Sequence, residues 1–323
     1  MAEGIVWPGS PEKPRVLYLW SLREVSRSGG AGAALRFLAG PGEGSADDSP
    51  RDSDVLVRPS GVFVDDKDRM YIADTGALRV LVVDLNSMEA LQIDNADDFP
   101  LFSPVGVVAD RAGQIYVTDS SLGAVLVFDS EGRYLRKFEG AFKRPTGIAI
   151  NPDAGLIYVA DTWAHTVYIC DLAGRRVGAI GTRGGGPGEF NYPTYVALDR
   201  DGYLYVSDTL NFRFQIFTPR GGFVGAFGLI GDSFLTFDKI KGIAVDSEGH
   251  IYVADSGQDM VKIYDREGRL LLFFGEKGHF YGQFFLPAGL FIDKEDRIFV
   301  ADSINQRIQA FKYLREDQAG GKP

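Results

Sequence analysis

The sequence predicts an all-β chain folded as a six-bladed β-propeller of four-stranded antiparallel blades, closed by an N-terminal strand that completes the last blade. Three observations carry that prediction. One phrase recurs six times: a proline, a small residue, a glycine, alternating apolar positions and an aspartate. Pro59, Pro104, Pro145, Pro193 and Pro287 open five copies and Ile240 opens the sixth, while Asp65, Asp110, Asn151, Asp199, Asp246 and Asp293 close them. A second aspartate followed by Ser or Thr comes later in each copy, at Asp74, Asp119, Asp161, Asp208, Asp255 and Asp302. These are about 45 residues apart, a period that belongs to propellers and solenoids. The chain ends supply the third observation: the last copy stops after its third strand near Tyr313, and a strand without a repeat of its own, Val16-Leu17-Tyr18-Leu19-Trp20, stands at the other end.

Taken in order, the chain reads as one domain over residues 1–323. Residues 1–13 are a tail rich in proline, and 14–20 are the closing strand. An unpaired blade edge would leave a ladder of backbone donors and acceptors open, which is why the N-terminal strand is expected to pair there. Residues 21–57 form a Gly/Ser/Asp-rich excursion, read as a passive surface connector, within which Ala33-Ala34-Leu35-Arg36-Phe37-Leu38 is apolar enough to pack on the ring as a short helix or strand. Residues 58–312 hold the repeats and 313–323 a C-terminal tail.

Each repeat writes out four strands. The runs at Tyr71, Tyr116, Tyr158, Tyr205, Tyr252 and Phe299 are short, β-branched and aromatic, the signature of strands. Turns such as Asp199-Arg200-Asp201-Gly202 precede them, with Asp supplying side-chain hydrogen bonds and Gly a positive φ. A third run and, after another Asp/Gly turn, a fourth (Leu270 to Phe274, for example) complete the blade. Because the second aspartate recurs in every blade, the expectation is that it holds backbone amides of the second hairpin rather than doing chemistry.

The phrases Pro145-Thr146-Gly147-Ile148-Ala149-Ile150, Ile157-Tyr158-Val159-Ala160-Asp161-Thr162 and Gly184-Gly185-Gly186-Pro187-Gly188-Glu189-Phe190-Asn191-Tyr192-Pro193 resemble the NHL repeat. The resemblance covers about residues 58–312. It implies a propeller of six or a similar number of blades, used mainly to bind other macromolecules. The run Trp7-Pro8-Gly9-Ser10-Pro11-Glu12-Lys13-Pro14 resembles the start of mature extracytoplasmic bacterial NHL proteins, which implies an extracytoplasmic location, with Met1-Ala2-Glu3 as a start placed after a removed signal.

A net charge of −10 over 323 residues disfavours the electrostatic attraction on which nucleic-acid binding rests. The single cysteine, Cys170, lies in an apolar strand, so no intramolecular disulfide and no zinc–thiolate cluster is expected. No apolar run reaches membrane-spanning length.

For catalysis the sequence offers little. The inner-strand entrances carry Ser60, Thr146, Thr194 and the cation Lys241 but no carboxylate, a poor set for a hard metal ion. His165, His250 and His279 fall in different kinds of loop and are not expected to converge. No catalytic residue, metal ligand or cofactor is therefore predicted.

Binding is expected on the face made by second-to-third-strand loops and blade connections. Trp163, His165, Phe212, Arg213, Arg79 and Arg307 combine the aromatics and arginines that anchor interfaces. Trp163 is either packed on a neighbouring blade or free for a partner. Tyr195 replaces the glycine of the other five blades and either plugs the tunnel, the preferred reading, or lines a small-ligand pocket with Lys241 and Thr146. The expected function is that of a noncatalytic binding or scaffold module for a protein partner, with a small ligand at the tunnel mouth as the lesser option. The alternative is a metal-dependent hydrolase or lyase at that mouth. The opposite face collects carboxylates such as Asp65, Asp201 and Asp293, read as solvation.

Overall fold

A computed structural model describes residues 5–9, 12–26, 53–87, 89–231, 233 and 235–315. Six sheets stand around a central tunnel, each with its first strand innermost. Blade 1 is Pro59–Val64, Arg69–Asp74, Arg79–Asp84 and Ala90–Ile93. Blade 2 begins with Pro104–Ala109, blade 3 with Pro145–Asn151, blade 4 with Pro193–Leu198 and blade 5 with Ile240–Val245. Blade 6 holds Pro287–Ile292, Arg297–Asp302 and Arg307–Tyr313 and takes its fourth strand, Val16–Leu22, from the N-terminus. The register runs from Val16 opposite Tyr313 to Leu22 opposite Ile308, so the ends of the chain close the ring as the sequence predicts.

The closing strand runs on to Leu22, two residues into the segment read as excursion, and two pairings near it also lie outside the sequence reading. Val6–Trp7, read as tail, adds a fifth strand to blade 6 by pairing with Val16 and Leu17. The Trp7 ring lies 5.7 Å from those of both Phe274 and Phe311, which gives so short a strand a reason to dock. Glu24–Ser26 pairs with Ser53–Val55 at the ends of the excursion. The segment 33–38, expected to pack on the ring, lies outside the described residues.

The core is divided among the blade interfaces. Each apolar cluster joins two neighbouring blades, and the six clusters complete the circuit. Alternation along each strand produces this, because a blade in a ring has a neighbour on both faces. Close approach near the axis needs glycine. A Cβ on Gly61 would lie 2.4 Å from the Val105 carbonyl oxygen of the next blade, and one on Gly289 2.4 Å from that of Ser60.

The repeated polar residues are joints. Asp65, Asp110, Asp199 and Asp246 accept the hydroxyls of the fully buried Tyr71, Tyr116, Tyr205 and Tyr252 at 2.9–3.1 Å. In blade 3 Asn151 caps its own turn through the Ala154 amide, and in blade 6 Phe299 has no hydroxyl to give. The second aspartates are also fully buried, and the amides they hold are chiefly those leading into their own blade's inner strand. Asp74 takes Val57 and Arg58 at 3.0 and 2.8 Å, and Asp161 takes Lys143 and Arg144 at 2.7 and 2.9 Å. The adjoining hydroxyl reaches onward. Thr75, Ser120, Thr162 and Ser303 each donate to the carbonyl of the next blade's opening proline at 2.5–2.7 Å. One dipeptide thus fastens a blade to itself and to its neighbour.

Candidate interaction face

The loops between second and third strands meet the blade connections on one face of the ring. The expected binding arginines are placed beneath that face. Arg213 Nε donates to the buried Asp208 at 2.8 Å, and its other nitrogens donate to the Gly185, Gly186 and Glu189 carbonyls. Arg307 repeats this in blade 6 with Asp302 at 2.8 Å and the carbonyls of His279, Phe280 and Gln283. Arg79 is buried, donates to the Val55 carbonyl at 2.9 Å and lies 3.7 Å from Asp74. Lys262 takes the part in blade 5, against Asp255 and the Thr236 carbonyl. These cations satisfy connection carbonyls and a buried carboxylate together, as buried charge requires, which directs their donors inward. Burial still pushes the Asp302 carboxyl above the usual carboxylate range, with Arg307 opposing.

His165 is buried with a left-handed backbone, its Nδ1 accepting the Tyr192 amide at 3.2 Å. Phe212, also left-handed, is half-buried and packs with Tyr195 against the cluster between blades 4 and 5. Trp163 is 54 % exposed, and the Arg144 guanidinium lies 5.3 Å over its ring.

Tyr195 crosses the tunnel. Its hydroxyl donates to the Ser60 carbonyl of the opposite blade at 2.9 Å, and burial pushes that hydroxyl's pKa far up. Below it the inner strands of all six blades enclose an apolar cavity of about 120 Å³. Lys241, one position nearer the mouth, is half-buried; burial, with help from Lys239 and Arg144, pulls its ammonium down to about 8.

Sequence reasoning missed an apolar crown. Leu78, Leu122, Leu210 and Ile304 occupy the loops corresponding to that of Trp163, and Val57, Phe102 and Leu286 the entrances beside them, all between 38 % and 54 % exposed. The signal was present: an apolar residue two to four positions after the second aspartate in five of the six repeats. Blade 5, with Gly257-Gln258-Asp259, is the gap. The opposite face differs. Among the described residues, no exposed large apolar side chain lies on its turns, and its carboxylates are met by arginines, as in Asp65–Arg69, Asp171–Arg175 and Asp265–Arg269 at 2.6–2.8 Å.

Each histidine has a local engagement: His250 Nδ1 with Asp246 at 2.9 Å, His279 Nδ1 with Asn305 at 2.6 Å, and His165 as above. Among the described residues no group of three or more His, Cys, Asp and Glu side chains is placed to hold a metal ion, and no helix is long and apolar enough to cross a membrane.

A family model described as a 6-bladed beta-propeller matches residues 147–228, within blades 3 and 4. Among solved structures, virginiamycin B lyase from Staphylococcus aureus is similar with a TM-score of 0.59 at 14 % identity, covering 80 % of this chain and 96 % of that one. A structural genomics protein of unknown function from Bacteroides thetaiotaomicron gives 0.60 at 15 % identity, over 80 % and 70 %. Hydrazine synthase from Kuenenia stuttgartiensis gives 0.57 at 12 % identity, over 83 % and 98 %. No curated protein matches the sequence. At these identities the likeness is one of fold, and one propeller fold carries unrelated functions.

Proposed function

We propose that the chain is a noncatalytic recognition module, an NHL-type propeller acting as a single domain that binds a protein partner through its loop face. The observation that carries this reading is the asymmetry of the two faces. Large apolar side chains ring the tunnel on one face, and ion-paired turns cover the other. Exposed apolar side chains gathered on one face and absent from the turns of the other are what favours that face as the interaction site. The anchors are Trp163 and its neighbours in the crown, while Arg79, Arg213 and Arg307 act as positioning residues that hold the connections from below.

The test is co-precipitation with three forms of the chain: wild type, Trp163→Ala with Leu210→Ser, and Arg111→Ala with Arg175→Ala on the opposite face. A partner retained by the first and third and lost by the second supports the reading. Loss with the opposite-face variant alone, or no captured protein at all, would refute it. The competing reading, a metal-dependent hydrolase or lyase at the tunnel mouth, draws on the fold shared with a lyase and stands or falls on whether a chelator lowers the melting temperature.

A further inference from the structure

Two of the departures of blade 5 from the other blades fall together at the tunnel mouth. At the second position of the inner strand the other blades carry Ser60, Val105, Thr146, Thr194 and Ala288, and blade 5 carries Lys241. Its loop is also the one gap in the apolar crown. The three hydroxyls of this ring are committed, Ser60 to Thr75, Thr146 to Thr162 and Thr194 to Thr209, at 2.6–2.8 Å. Lys241 is different. Among the described residues its Nζ has no hydrogen-bond or ion-pair partner, and the charges acting on it are those of Lys239, at the entrance of its own blade, and Arg144, at the entrance of blade 3. Three cations therefore share this sector of the mouth, on a chain whose net charge is −10. A partly desolvated ammonium without a counter-charge is unfavourable until an anion arrives.

The floor limits how far an anion can go. Tyr195 lies one residue deeper than Lys241 and is tied across the tunnel to Ser60, and the cavity beneath it is apolar. On either side of blade 5 stand Leu210 of blade 4 and Leu286 of blade 6, the latter fixed by its amide to Asp259 at 2.7 Å. We propose, on the basis of the recognition-module reading, that the loop face takes a segment of a partner protein in which a carboxylate is flanked by large apolar side chains. The carboxylate pairs with Lys241 at the tunnel mouth, and the flanking side chains lie on Leu210, Leu286 and Trp163. Charge complementarity selects the acidic centre, and the crown selects its neighbours.

The experiment selects random short linear peptides displayed on phage against the immobilised full chain and then measures the winners in solution. The expected winners carry Asp or Glu between Leu, Phe or Trp. Their affinity should fall roughly tenfold or more with Lys241→Met and much less with Lys241→Arg. Replacing the peptide's acid by its amide should cost a similar factor on wild type and little further on Lys241→Met. That reciprocal arm, together with a melting curve, separates lost binding from lost folding. Winners that depend on Trp163 but bind Lys241→Met as well as wild type would overturn this inference and leave the recognition module standing. Winners indifferent to both Trp163→Ala and Lys241→Met would overturn both. Self-association of the wild-type chain through this face, lost with Trp163→Ala, would overturn the choice of occupant.

Discussion

Asp302 accepts hydrogen bonds from the Phe285 amide, Asn305, Arg307 and Gln309 without exposing an atom to solvent. Removing one partner of a buried ion pair leaves the other charge uncompensated. Asp302→Ala is therefore expected to lower the unfolding free energy by about 3–5 kcal/mol, read from urea denaturation, whereas Arg133→Ala, at an exposed pair, should leave the midpoint unchanged. Lys241 gives the opposite sign. Its ammonium is held at about 8 in the folded chain, below its ordinary value, so between the two values the unfolded chain binds the proton and the folded chain does not. Lys241 thus imposes a penalty that is present in full below pH 8 and is relieved as pH rises from 8 toward the ordinary lysine value. Lys241→Met removes that dependence. Near neutral pH it should be more stable than wild type by up to about 3 kcal/mol, with the difference shrinking in melts above pH 8. A variant less stable than wild type at neutral pH would contradict the burial argument.

At the level of the strand, backbone crowding decides what is tolerated. Gly289 faces the Ser60 carbonyl, which lies at the irregularity between Pro59 and Gly61 in the inner strand of blade 1 and accepts the Tyr195 hydroxyl. Gly289→Ala should cost about 1–3 kcal/mol, as overpacking does, and a midpoint equal to wild type would show that blades 6 and 1 can separate at no cost. Closure makes a second prediction. Val16, Tyr18 and Leu22 of the closing strand are buried, each contributing about 1.5–3 kcal/mol when fully withdrawn from water, and their strand covers the free edge of Arg307–Tyr313. A chain beginning at residue 24 is expected to lose cooperative unfolding and to aggregate through that edge, as seen by light scattering against wild type. Retention of a sharp melt would mean that the ring closes without its N-terminal strand.

For the whole molecule, the ring separates two surfaces made from the same repeat. Turns rich in Asp and Arg neutralise one another on one side. On the other, the positions beside each structural aspartate are released from folding duty, because the aspartate and its hydroxyl neighbour already hold the loop, and those positions carry the apolar crown. On the recognition-module reading, folding requires no metal. Chelator treatment followed by a thermal melt should leave the transition unmoved, and a fall in melting temperature restored by calcium or zinc would favour the hydrolase or lyase reading.

The repeat phrase by itself determined the number of blades and their four-strand pattern, because a two-residue period and a fixed turn chemistry are local properties written in consecutive letters, and the short last repeat pointed to closure by Val16–Trp20, a strand that the structure extends to Leu22. It also marked the second aspartates as structural, though not that they reach back to the segment entering their own blade. The site was less legible. Tyr195 stood out as a departure from the repeat, with Lys241 named beside it, and Trp163 as a large ring in a short loop, but Arg79, Arg213 and Arg307 looked equally suited to an interface. Whether a guanidinium points to solvent or to a connection's carbonyls depends on loops some 25 residues away in the chain, a distance closed only when the blade assembles. The crown belongs to the same category. Its members are single apolar residues in separate repeats, and only ring closure brings them to one face around one mouth, with Lys241 in the blade whose loop has none.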